Sequence, residues 1–193
     1  MPIGINGNGT ITGVIPGGLP DGIVDTDMLA ANAVNLAKLG ATTGKNGPFL
    51  QVEQNFKNDT FSTSSTDTLV DITGFNITIT PSSSSNKILL MSNCGIGLGT
   101  TSTVVHMELF RGSTQIALST SSSQNYYGTA THYPLNREAQ IRWSYNFLDT
   151  PNTTSAVTYQ WKCKSRSNTA YINNRFTGDM GTTATVIAME VAA

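Results

Sequence analysis

Charge is scarce in this chain. Only 12% of its 193 residues are Asp, Glu, Lys or Arg, about half the share of ~25% usual in soluble domains. The net charge is -1, so nothing in the balance draws the chain to nucleic acid or to an anionic membrane, and neither is expected as a partner. Cysteine is scarce too. Cys94 and Cys163 cannot build a disulfide framework, and both fall on strand faces that read as core, where a free thiol packs as a small hydrophobe. The two histidines, His106 and His132, lack metal-ligand spacing to another His, Cys or acid and read as ordinary surface or loop residues. No apolar run approaches the roughly 20 residues of a membrane helix. The start, MPIGINGNGT, lacks the basic and apolar regions of a secretory signal, so synthesis in a cytoplasm is expected. No nucleophile elbow, P-loop or dinucleotide fingerprint occurs. No catalytic residue, cofactor or metal is therefore expected, and the chain does not read as an enzyme.

What is present divides into zones. Residues 1–27 form a Gly/Pro-rich arm, which includes GTITGVIPGGLPDGIVDTD. Glycine and proline break it too often for a helix or a good strand. Yet Ile11, Val14, Ile15, Leu19, Ile23 and Val24 are too apolar for a solvated linker. Residues 28–39, MLAANAVNLAKL, read as one short helix, capped by Thr26 or Asp27 and closed by Gly40. Its stripe of Leu29, Ala33, Leu36 and Leu39 is too thin to hold it alone in water. The acids Asp21, Asp25 and Asp27 match no calcium loop, and capping and the helix dipole account for the last two. Residues 40–48 read as a linker.

From Phe49 to the end the period is two. Phe75, Ile77 and Ile79 share a face, as do Ile88, Leu90, Cys94 and Ile96. Val105, Met107 and Leu109 alternate with His106 and Glu108, and Ile116 and Leu118 follow in a short strand. Ile141, Trp143, Tyr145 and Phe147 form another set, as do Val157, Tyr159, Trp161 and Cys163. Ile187, Met189 and Val191 lie on one side of the last strand. With a first strand near residues 50–56 and a short one around Tyr171, residues 49–193 should hold eight or nine antiparallel strands. The fold class is all-β, a jelly-roll β-sandwich with an extended N-terminal arm and one short helix. Leu89 and Met91 make one strand apolar on both faces, so a subunit interface or an overlying loop should cover the second.

Sites are harder to read. Acids are sparse in the strands, with Asp71, Glu108 and Glu190 the main ones, and they form no evident pair for hydrolysis. Lys162, Lys164, Arg166 and Arg175 read as a solvated basic face, though a subunit seam could turn them into a site. The loops at 119–136 and 164–179 set Tyr126, Tyr127, Tyr133, Tyr171 and Phe176 among small polar residues. Such surfaces bind sugars or proteins, and the same aromatics could equally cap the barrel ends.

Several segments together resemble a known group. DITGFNITITPSSSSNKILLM, the hairpin HMELFRGSTQIALS with its turn at Arg111-Gly112-Ser113-Thr114, and the ending TTATVIAMEVAA with Glu190 resemble strands of bacteriophage fibre-type and virion-surface proteins. Those proteins carry a jelly roll similar to C1q/TNF-like domains. The arm GVIPGGLPDGIVDTDMLAANAVNLAKL resembles their N-terminal segments, although the leucine of the I/V-x-D-x-D-L phrase arrives one residue late, at Leu29. The resemblance implies a non-enzymatic virion structural protein, a homotrimer, placed as a capsid decoration (cement) protein or a short tail or head fibre. It implies other virion proteins, of capsid or tail, as partners. Ile11, Val14, Ile15, Leu19, Ile23, Val24, Leu29, Leu36 and Leu39 would then attach the particle or pack the trimer. The alternative is a carbohydrate- or receptor-binding module of a fibre tip, with a host-surface glycan as ligand.

Overall fold

The computed structural model describes residues 48–99, 104–119, 129–132, 139–178 and 181–193, with the backbone alone of residues 4–5 and 11–12 and of 130–132. The chain divides into two compact units, Met1–Asn46 and Gly47–Ala193. In the first, strand β1 (Gly4–Ile5) pairs antiparallel with β2 (Ile11–Thr12), setting Ile5 opposite Ile11. The expected helix over 28–39, and the remainder of the expected arm and linker up to residue 47, lie outside the described residues.

The second unit holds β3 (Phe49–Lys57), β4 (Phe61–Thr63), β5 (Val70–Ile79), β6 (Lys87–Leu98), β7 (Val105–Arg111), β8 (Thr114–Ile116), β9 (Ala130–His132), β10 (Gln140–Asp149), β11 (Val157–Ser165), β12 (Ala170–Ile172) and β13 (Ala184–Val191). They form two antiparallel sheets. In sheet I, β6 is central, with β10 along the whole of one side. Its other side is shared: β13 pairs with Lys87 to Asn93 and β12 with Ile96 to Leu98. Beyond them β3 pairs with β13, and β4 with β12. Sheet II runs β5, β11, β7, and then β8 and β9 share the far side of β7. Three rows are thus each split between two short neighbours in sequence.

Period-two side chains close the sandwich. Ile88, Leu90, Cys94, Ile96 and Leu98 of β6 face Ile72, Phe75, Ile77 and Ile79 of β5 and Tyr159, Trp161 and Cys163 of β11 in one buried core. Trp161 stands edge-on to Trp143, with ring centres 4.8 Å apart, and its indole N–H donates to Ser92 Oγ at 2.8 Å. A buried indole needs such a partner. In β5 the left-handed Gly74 (φ 74) lets both Ile72 and Phe75 point inward, a bulge opposite a register shift in β11. Gln160 Nε2 donates to the bulge carbonyl of Ile72 at 3.1 Å.

Two connections are locked by buried carboxylates. Glu190 on β13 accepts from Ser82 N (2.6 Å), Ser82 Oγ (2.7 Å), Asn86 Nδ2 (2.6 Å) and Gln51 Nε2 (2.7 Å), which fixes the serine turn between β5 and β6. Asp149 at the end of β10 takes Arg111 Nη1 at 3.0 and 2.9 Å and the Tyr159 hydroxyl at 2.7 Å, joining the two sheets.

The structure amends three expectations. Leu118 is not in the strand with Ile116. β8 ends at Ile116, the left-handed Ala117 (φ 57) turns the chain out of the ladder, and Leu118 is exposed. On β13 the residues Ile187, Met189 and Val191 do share a side, but it is the outer one. Ala184, Val186, Ala188 and Glu190 are the buried set, the first three within the apolar core and Glu190 at the serine turn. His106 faces outward as expected but is no surface residue, being 1% exposed.

Candidate functional site

The outer face of sheet I is the feature that a lone domain does not explain. Register sets Val52, Met189, Leu89 and Leu148 side by side across four strands. The next row reads Gln54, Ile187, Met91 and Asn146, and the one after it Phe56, Thr185, Asn93 and Ser144. Val52 (58% exposed), Phe56 (55%), Leu148 (48%) and Met91 (37%) are open to solvent, and Phe49, opposite Val191, is open as well. Neighbouring apolar side chains on one sheet face form a contiguous patch, not scattered exposures, and such patches mark interaction sites.

The chain covers the remainder of this face itself. The two outward positions of β6 past Asn93 are Gly95 and Gly97. A Cβ on Gly97 would meet the Asn174 carbonyl oxygen at 2.4 Å, and one on Gly95 would meet Thr182 Oγ1 at 2.2 Å. Glycine is thus required where the connection after β12 crosses the sheet. Asn173, fully buried and left-handed (φ 60), holds that crossing. Its N–H donates to Gly95 O at 2.8 Å, its Oδ1 accepts from Gly95 N at 3.3 Å, and its Nδ2 donates to Asp59 O at 3.2 Å. Arg142 adds bonds to Asn93 Oδ1 (2.6 Å) and Thr183 O (2.8 Å). One half of the face is sealed by the chain's own loop, and the other half is apolar and open.

The outer face of sheet II is polar by contrast. Lys162 lies between Asp71 and Glu108 in register, pairs with Asp71 at 2.8 Å and sits 4.6 Å from the centre of the Phe110 ring. Burial pushes the Glu108 carboxyl up, against the nearby Lys164 charge, and Gln115 donates to it. At one end of this face a cleft of about 580 Å³ is lined by Thr66, Asp67, His106, Lys164, Arg166, Ser167 and Asn168. Lys164 stands directly opposite His106 in the ladder.

Of the expected site residues, Ile11 opens β2, whereas Val14, Ile15, Leu19, Ile23, Val24, Leu29, Leu36 and Leu39 lie outside the described residues. So do Tyr126, Tyr127 and Tyr133. Tyr171 sits on β12 opposite Gly97 and Ser62, and Phe176 is exposed. Of the basic residues, Lys164 and Arg166 meet in the cleft, Lys162 is held by Asp71, and the Arg175 backbone passes over Gly97. Both thiols are buried, which pushes Cys163 up to about 12 and Cys94 higher still. Among the described residues no three His, Cys, Asp or Glu side chains are grouped so as to hold a metal ion.

No family model and no curated protein matches the chain. Solved structures with a similar arrangement include infectious bursal disease virus, Gx strain, at 12% identity and a TM-score of 0.42, covering 74% of this chain and 37% of that one. A mutant VP2 protein of the same virus, from T=1 particles, has 12% identity and a TM-score of 0.40, covering 74% and 36%. A VP2 subviral particle of that virus has 11% identity and a TM-score of 0.39, covering 74% and 37%. The chain thus spans little more than a third of the chains that it matches.

Proposed function

We propose that this chain is a non-enzymatic virion structural protein of a bacteriophage, a homotrimer whose β unit is a jelly roll and whose N-terminal arm attaches it to the particle. The open apolar half of sheet I carries the reading. A surface of Val52, Phe56, Leu89, Met91, Leu148, Ile187 and Met189 suits burial against another subunit, on the scale of about 2,000 Å² or more for an obligate contact. The strand order supports the fold. With the eight rows numbered along the chain, sheet I has the order 1-8-3-6 and sheet II 2-7-4-5, which is the order of a jelly roll made of two Greek keys. The resemblance of the arm and of the strands around Ile88, Arg111 and Glu190 to phage virion-surface proteins supports the location. A capsid decoration protein or a short fibre fits these features, with capsid or tail proteins as the arm's partners.

Light scattering on the full chain and on residues 48–193 tests the proposal. A trimer is expected for both. A monomer for both overturns the assembly, and a trimer for the full chain alone moves the contact from the sheet face to the arm.

A further inference from the structure

We propose that a single internal water molecule is built into the crossing of sheet I over Gly95, held between the side-chain amide of Gln140 and the hydroxyl of Thr182. Two polar atoms converge at that point. A Cβ on Gly95 would lie 2.2 Å from Thr182 Oγ1 and 2.7 Å from Gln140 Nε2. Both atoms are buried, and neither has a hydrogen-bond partner among the described residues. Folded chains pair nearly all such groups, and use water where the protein itself falls short.

The two glycines of this half of the face serve different ends. Over Gly97 the close neighbour is backbone, the Asn174 carbonyl, whereas over Gly95 it is two side-chain tips. Gln140 and Thr182 are both partly exposed residues, so a change of rotamer gives each tip a route to solvent. Both instead turn inward, over a residue without a Cβ, and a partner between them accounts for that.

The frame is held from three sides. Thr182 N donates to Asn173 O at 3.1 Å and Asn173 N to Gly95 O at 2.8 Å, which ties both ends of the crossing to one position on β6. Gln140 stands opposite Gly97 in the β10–β6 ladder, so its backbone is fixed as well. Arg142, opposite Gly95, is engaged with Asn93 Oδ1 and Thr183 O.

Chemistry selects the occupant. Gln140 Nε2 only donates, so it offers nothing to a metal ion. Neither group carries a charge to offset the burial of an anion. The place is as wide as one missing methyl, which suits a single non-hydrogen atom. Water accepts from the amide and exchanges a hydrogen bond with the hydroxyl, so one molecule satisfies both groups. The site lies within one chain and needs neither the trimer nor the virion.

Crystal structures of the full chain and of its Thr182→Val variant provide the test. The native chain should show one ordered water within hydrogen-bond distance of both Gln140 Nε2 and Thr182 Oγ1, and Thr182→Val should lose it. Deuterium exchange in solution gives a second readout. The amides of Asn173 and Thr182 should exchange about tenfold faster in Thr182→Val, the factor for one lost buried hydrogen bond. Thr182→Ser keeps the hydroxyl and should match the native chain. Absence of the water, a Gln140 amide turned so that its Oε1 accepts directly from the Thr182 hydroxyl, native exchange rates in Thr182→Val, or Thr182→Ser exchanging as fast as Thr182→Val would each overturn the proposal.

Discussion

Asn173 and Glu190 each satisfy several buried groups that would otherwise be stranded. Asn173 sits at the gap between β12 and β13, where Gly95, paired with Arg142 on its other side, has no strand partner. Its side chain supplies that partner and reaches across to the gap between β3 and β4. Asn173→Ala should therefore cost about 2–4 kcal/mol, from unpaired buried groups and from a Cβ residue unsuited to a left-handed backbone. Asn173→Gly should cost roughly 1 kcal/mol less, because it keeps the backbone conformation. Urea titration of both variants measures the difference. Glu190 adds a pH dependence. Burial alone would raise its pKa, but bonds from Asn86, Ser82 and Gln51 outweigh burial and hold it below the ordinary carboxylate range. The folded pKa is thus below the unfolded one, so the stabilisation is complete above about pH 4.5 and is lost as pH falls through the folded value. Glu190→Gln should be less stable than the native chain at neutral pH and show a flatter loss in acid, read from urea midpoints at several pH values. Neither role was legible in advance. A lone asparagine in a loop and one acid near the chain end carry no periodic signal, and their partners are distant in sequence.

Elements differ in how openly the sequence declares them. β5, β6, β10 and β11 were legible because large apolar residues occupy every second position and the opposite set is polar or, in β6, plainly conspicuous. Leu89 and Met91 announced a second apolar face, and the structure shows what joins them: Val52, Met189, Ile187 and Leu148 from three other strands. β13 was misleading, since its larger side chains face out and its alanines face in. The cleft was only half legible, because its walls come from three segments that alternation does not relate. Two predictions belong at this scale. On the assembly proposed above, the double variant Met91→Gln, Leu148→Gln should weaken subunit association by about tenfold or more, while isolated-subunit stability moves within roughly 0.5 kcal/mol; dilution followed by light scattering and thermal melting separates the two. Gly97→Ala should destabilise by about 1–3 kcal/mol, since the added methyl meets backbone and not a movable side-chain tip.

For the β unit as a whole, the decisive pairing is non-local. β13 lies between β3 and β6, so an interior row of sheet I comes from the far end of the chain. Removing residues 184–193 would leave β3 without its ladder partner and Glu190 missing from the serine turn. That truncated chain should show no cooperative transition in urea, as followed by tryptophan fluorescence.

The same placement orders events in time. A ribosome delivers β3 first and β13 last among the strands of this sandwich, and the two must become neighbours. β3, and the side of β6 that β13 covers, wait unpaired until residue 191 emerges. The outer face built from β3, β13, β6 and β10 therefore does not exist until the last strand is in place. In the assembly proposed above, synthesis thus acts as a clock that keeps half-made chains from meeting through this face.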